Sequence, residues 1–137
     1  MNRPAFLASA LLLLAATPVL AQPGYAPYLE CAVSRGNFAI LLRQSGYPDQ
    51  EDLRKVENDA NAYLRIATAV AGRPLQDELQ AVTQRLQQRD EAVMKAEGAE
   101  GYLRHAAQEE VECVRRVEEN RAELLKTLEK YEAGKTP

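Results

Sequence analysis

Apolar residues recur along this chain at helical spacing. Leu53, Val56, Ala60, Tyr63, Leu64, Ala67 and Val70 fall on one side of a 3.6-residue repeat, with charged and amide side chains between them. Pro48-Asp49 opens that stripe, with Asp49 placed to cap and Asp52 at the capping-box position, and Gly72 closes it. Past Arg73-Pro74, a second stripe carries Leu75, Leu79, Val82, Leu86 and Val93, with glutamines filling much of its wet side. A third begins near Gly98-Ala99-Glu100-Gly101 and carries Leu103, Ala106, Cys113, Val117, Leu124 and Leu128 before Gly134. Ahead of all three, the segment from Tyr28 to Ser45 is apolar on more than one side and stops at Gly46, the pattern of the most buried helix. No strand-like alternation occurs. The pattern predicts four helices and an all-α fold.

Two places leave the local structure open. Ser34-Arg35-Gly36-Asn37 fits one continuous first helix, with Leu29, Ala32, Gly36 and Ala39 as a seam of mostly small residues; it also fits a turn with Asn37 capping a short helix. The continuous helix is the favoured reading. Gly98 and Gly101 fit either a break or a bend in one rod from Leu75 to Tyr131. Such a rod would be about 85 Å long at 1.5 Å per residue and would dwarf the rest of the domain. A break is expected.

The first residues change what counts as the domain. Arg3 supplies a positive start, Ala5 to Ala16 is apolar except for Ser9, and Val19-Leu20-Ala21 is a small-residue cleavage pattern ahead of Gln22. The run is shorter than the roughly 20 apolar residues that span a bilayer. Residues 1–21 are therefore expected to be a cleaved secretory signal, and 22–27 a Pro/Gly linker. Residues 28–134 are expected to form one helical domain, and 135–137 a disordered tail. The mature chain would be periplasmic or secreted, with no membrane span of its own.

Charge and composition then remove whole classes of partner. The formal charge of −3 becomes about −4 once Arg3 is lost with the signal. Mild acidity mixed along the chain lacks the basic face that nucleic acid or an anionic membrane requires. Trp is absent and only two Phe occur, so Leu, Val, Ala and Tyr must build the core.

Only two cysteines are present, Cys31 and Cys113. Glu30 precedes Cys31, some ten residues past the expected cleavage point, which argues against lipidation. Neither cysteine starts a C-x-x-C-H or C-x-x-C sequence, and the sole histidine, His105, is the one available partner for a nucleophilic thiol. An even count in an exported chain points instead to a Cys31–Cys113 disulfide. It would join the first helix to the fourth in an up-down-up-down bundle, with residues after Cys31 facing residues before Cys113.

In that register one turn beyond Cys31 lies Arg35, and one turn before Cys113 lies Glu109, with Glu110 beside it. An ion pair of Arg35 with Glu109 or Glu110 is expected beside the disulfide. A small polar ligand site of Arg35, His105 and Glu109 is the alternative. One histidine with carboxylates is a poor zinc set, so no metal or other cofactor is expected. Glu51–Lys55, Glu100–Arg104 and Glu112–Arg116 read as solvated helix pairs. No nucleophile elbow, phosphate loop, zincin or EF-hand pattern occurs. The sequence thus points to a non-enzymatic exported helical module that binds another secreted protein. Its alternatives are a small-molecule or metal-binding bundle at the polar site, and self-association through a long C-terminal helix.

Overall fold

A computed structural model describes residues 24–135. The expected signal segment lies outside the described residues. The described residues form four helices: α1 Ala26–Gln44, α2 Gln50–Ala71, α3 Gln76–Glu119 and α4 Arg121–Ala133.

α1 starts two residues earlier than the sequence reading placed it, because Pro27 sits in the first turn, where its missing N–H costs no helical hydrogen bond. Ser34 to Asn37 continue the helix without a turn. Gly46, at φ +71°, ends it. There the Tyr47 N–H donates to the Leu42 carbonyl at 3.0 Å and the Gly46 N–H to Arg43 at 3.2 Å, closing a Schellman motif. α2 opens with the Asp49 carboxylate accepting from the N–H groups of Glu51 (2.9 Å) and Asp52 (3.0 Å). It ends at Gly72, again left-handed at φ +70°.

α3 is two helical arms, 76–97 and 99–119, meeting at Gly98. Gly98 has φ 71° and ψ −172°, a region open in practice only to glycine. The Arg89 Nη2 lies 3.2 Å from the Glu109 Oε2, although the two residues are 20 positions apart. A straight helix would separate them by about 30 Å, so the chain folds back at Gly98. Gly101 completes the turn: a Cβ there would lie 2.2 Å from the Glu97 Cβ.

The predicted fourth helix needs correction. It divides at Asn120, whose φ of −112° interrupts the helix and whose side-chain amide donates to the Arg116 carbonyl at 2.8 Å. Cys113 therefore belongs to the second arm of α3, and the Cys31–Cys113 disulfide (Cα–Cα 5.9 Å) joins α1 to that arm rather than to the last helix. α4 packs its backbone on α2 and α3, and no Cα of α4 comes within 8 Å of α1.

Apolar side chains fill three levels. Tyr28, Leu29, Ile66, Ala67, Leu75 and Leu124 form the first, at the start of α1. Cys31, Ala32, Tyr63 and Cys113 form the second, around the disulfide. Ala39, Leu53 and Val56, with Phe38 and Leu42 beside them, form the third. Three of the four residues of the expected small-residue seam are buried; Gly36 is only half-buried, and a Cβ there would meet nothing within 4 Å. Close backbone approach is therefore not its role.

Candidate functional site

The disulfide level carries the polar residues singled out by the sequence. Ser34 donates to the Glu109 Oε2 at 2.6 Å, and the Arg35 Nε stands 3.0 Å from the Glu110 Oε2. Both pairs continue the antiparallel register set by Cys31 and Cys113. Arg35 meets Glu110, not Glu109, because Glu109 is turned toward Ser34 and the first arm of α3, where Arg89 holds it. Arg35 also reaches Asp59 of α2 at 3.2 Å, so one guanidinium ties α1 to two other elements. Its approach to Glu110 is that of an ion pair without hydrogen-bond alignment.

The surroundings explain the electrostatics. Burial pushes the Glu110 carboxyl up from its ordinary range; Arg35 opposes that, and Asp59 adds to it. Tyr63, whose hydroxyl donates to the Glu110 Oε1 at 3.5 Å, is pushed up to about 12, first by burial and then by the charges of Glu110 and Asp59. Tyr102 is pushed up to about 12 as well, by burial and then by Asp90 and Glu109.

His105 does not join Arg35. Its Nε2 lies 3.2 Å from the Glu97 Oε1, across the Gly98 turn, and Arg104 reaches the other oxygen of the same carboxylate at 3.0 Å. The His105 hydrogen bond, followed by that of Arg104, holds the Glu97 carboxyl below the usual range. His105 and Glu109 line a small hollow of about 230 Å³ beside the disulfide, whereas Arg35 lines a different groove. The alternative site of Arg35, His105 and Glu109 is thus not brought together, since each member is committed to a different partner. Among the described residues no three His, Cys, Asp or Glu cluster so as to hold a metal ion. None of the three expected helix pairs forms: Arg104 bonds Glu97, Glu112 bonds Arg115, and Glu51 and Lys55 make no ion pair with each other.

The larger concave surface lies elsewhere, at the Gly98 end. No Cα of α2 comes within 8 Å of one in α3. Near the start of α1, side chains of Ile66, Leu75 and Leu124 fill the space between these helices. At the other end the space stays open as a groove of about 640 Å³, with Phe38, Leu42 and Val56 on one side and Met94, Ala99 and Leu103 on the other. A second groove of about 550 Å³ lies between α1 and the first arm of α3, and Leu41 and Met94 line both. Ile40 (52 % exposed), Leu103 (48 %) and Met94 (38 %) stand at the margins.

Sequence reasoning placed Leu103 in the core stripe. Helical spacing cannot separate a core position from a groove margin, because both face the same side of the helix. Exposed Ile40 and Met94 carried no separate signal. The chain matches no family model, no curated protein and no solved structure.

Proposed function

We propose that this chain is an exported, non-enzymatic binding module whose partner is another periplasmic or secreted protein. Its scaffold is an up-down-up-down bundle of α1, α2 and the two arms of α3, with α4 laid along α2. Short connections at residues 45–49 and 72–75, followed by the fold-back at Gly98, favour that order. A disulfide closing most of the chain suits an oxidising compartment.

One observation carries the reading. An apolar groove of about 640 Å³ opens between α2 and the Gly98 turn, margined by large exposed side chains, while the charged groups beside the disulfide are ion-paired with one another. Contiguous exposed apolar surface of this kind is what a partner covers. Crosslinking the tagged protein in its own exported environment tests it. A partner captured by the unaltered chain and lost on Met94→Glu, but kept on the distant Glu129→Gln, is the expected result. Capture unchanged by Met94→Glu rejects the groove as the binding face.

Self-association is favoured by a separate observation. Val111 (65 % exposed), Val114 (47 %) and Leu125 (52 %) lie along the second arm of α3 and α4. A mass that rises with concentration and returns to the monomer on Val111→Glu supports that reading, and a constant mass removes it.

A further inference from the structure

The two half-cystines are nearly buried, 3 % and 6 % exposed, and Ala32, Tyr63, Leu64 and Val117 pack around them. Both nevertheless line the small hollow walled by α1 and the two arms of α3. Its volume of about 230 Å³ is that of roughly eight waters at about 30 Å³ each, room for a small organic thiol and not for a folded protein.

The charges around this hollow are unequally used. Glu30 is paired with Arg85, Glu109 with Arg89, Glu112 with Arg115 and His105 with Glu97. Arg116 lines the hollow as well, is half-buried, and makes no ion pair among the described residues. It stands three residues beyond Cys113, a spacing that puts both on one face of the second arm. A thiolate both attacks and leaves in disulfide exchange, and a neighbouring cation favours it in each role. The lining residues that α1 contributes beside Cys31 include no cation.

We infer that the Cys31–Cys113 disulfide is a thiol-exchange site of the folded protein, opened by a small dithiol that enters this hollow. One sulfur of the dithiol, as thiolate, bonds to the Cys31 Sγ. The S–S bond breaks, and its electron pair leaves on the Cys113 Sγ beside Arg116. The second thiolate of the dithiol then attacks the sulfur joined to Cys31, releasing Cys31 as a thiolate and closing a cyclic disulfide. Two electrons pass from the dithiol to the protein, and the two protons that the dithiol gives up reach the cysteines through solvent. Opening the bond unfastens α1 from the second arm without dissolving their register. The contacts of Ser34 with Glu109 (2.6 Å) and of Arg35 with Glu110 (3.0 Å) do not depend on it. The fastening is thus reversible, and it follows the thiol poise of the surroundings.

Reduction of the oxidised full chain by dithiothreitol tests this, with samples quenched in acid, alkylated and weighed by mass spectrometry. The rate is expected to be proportional to dithiothreitol and to change less than about twofold between 0 and about 1 M urea, whereas a route through unfolding would raise it at least about fivefold. Gln108→Trp, at an exposed position of the lining, is expected to slow reduction about tenfold by narrowing the approach. Arg116→Gln slows it about three- to tenfold, and Arg116→Lys restores most of the rate. Thermal melts of the oxidised variants establish that they fold.

A rate that climbs about fivefold or more with that urea makes unfolding the route and overturns the inference. A rate indifferent to Gln108→Trp does the same, because the thiol then arrives by another way. A rate indifferent to Arg116→Gln rejects the step in which Cys113 leaves beside that cation.

Discussion

Arg35 joins two carboxylates, Asp59 and Glu110, inside a partly buried layer, and that arrangement makes it costly to remove. A guanidinium between two carboxylates offsets part of the cost of shielding them, so its loss leaves two like charges facing each other beneath Tyr63. Arg35→Met is expected to cost about 3 kcal/mol at pH 7, whereas Glu110→Gln, which leaves Asp59 on Arg35, costs about 1 kcal/mol or less. The sign of the pH dependence follows from the raised Glu110 carboxyl. A carboxyl raised in the folded state holds its proton more tightly than in the unfolded chain. Its contribution to stability is then greatest at low pH and is lost as pH rises through the raised value. Removing Arg35 takes away the larger of the two influences that lower it, the Tyr63 hydrogen bond being the other. The Arg35→Met deficit is therefore expected to shrink between pH 7 and pH 5, relative to the Glu110→Gln chain. Urea unfolding at the two pH values measures this, and a deficit that stays constant refutes the assignment.

At the scale of the elements, glycines that look alike in sequence have different tasks. Gly98 adopts backbone angles that an L side chain rarely takes, and Gly101 leaves no room for a Cβ against Glu97. Gly36 lies within α1 with open space around it and ordinary helical geometry. Gly98→Ala and Gly101→Ala are each expected to lose about 1–3 kcal/mol, by strain and by clash respectively. Gly36→Ala is expected to gain roughly 0.5–1 kcal/mol through helix propensity. Thermal melts of the three variants decide the matter, and a stabilised Gly98→Ala would contradict the fold-back. The helices themselves were legible from caps, glycines and the 3.6-residue period. The division at Asn120 was not, because Asn inside a charged helical stretch is common and its interruption of the helix depends on α4 packing against α2.

For the molecule as a whole, the disulfide is a long-range covalent constraint, joining residues separated by 82 positions. A cross-link of that span contributes about 4–5 kcal/mol by restricting the unfolded chain. This is a large share for a domain of such size whose core rests on Leu, Val, Ala and Tyr. The Cys31→Ser/Cys113→Ser double variant is expected to lose about 4 kcal/mol while keeping its helix content, as guanidinium titration followed by far-UV circular dichroism would show. A loss below about 1 kcal/mol would mean that packing alone sets the register of α1 against the second arm.

The sequence by itself determined the helical class, the caps, the Cys31–Cys113 pairing and the level at which Arg35 meets an acidic pair. These follow from local periodicity, from turn chemistry and from there being only two cysteines to join. Which of Glu109 and Glu110 takes Arg35 was decided by the tertiary structure, since Arg89 and Ser34, on separate helices, claim Glu109. The separation of His105 from Arg35 was decided in the same way, because the Gly98 turn brings Glu97 to the histidine first. The groove belongs wholly to the tertiary level. Leu103 carries the spacing of a core residue, and only the distance between α2 and α3 leaves it and Met94 uncovered.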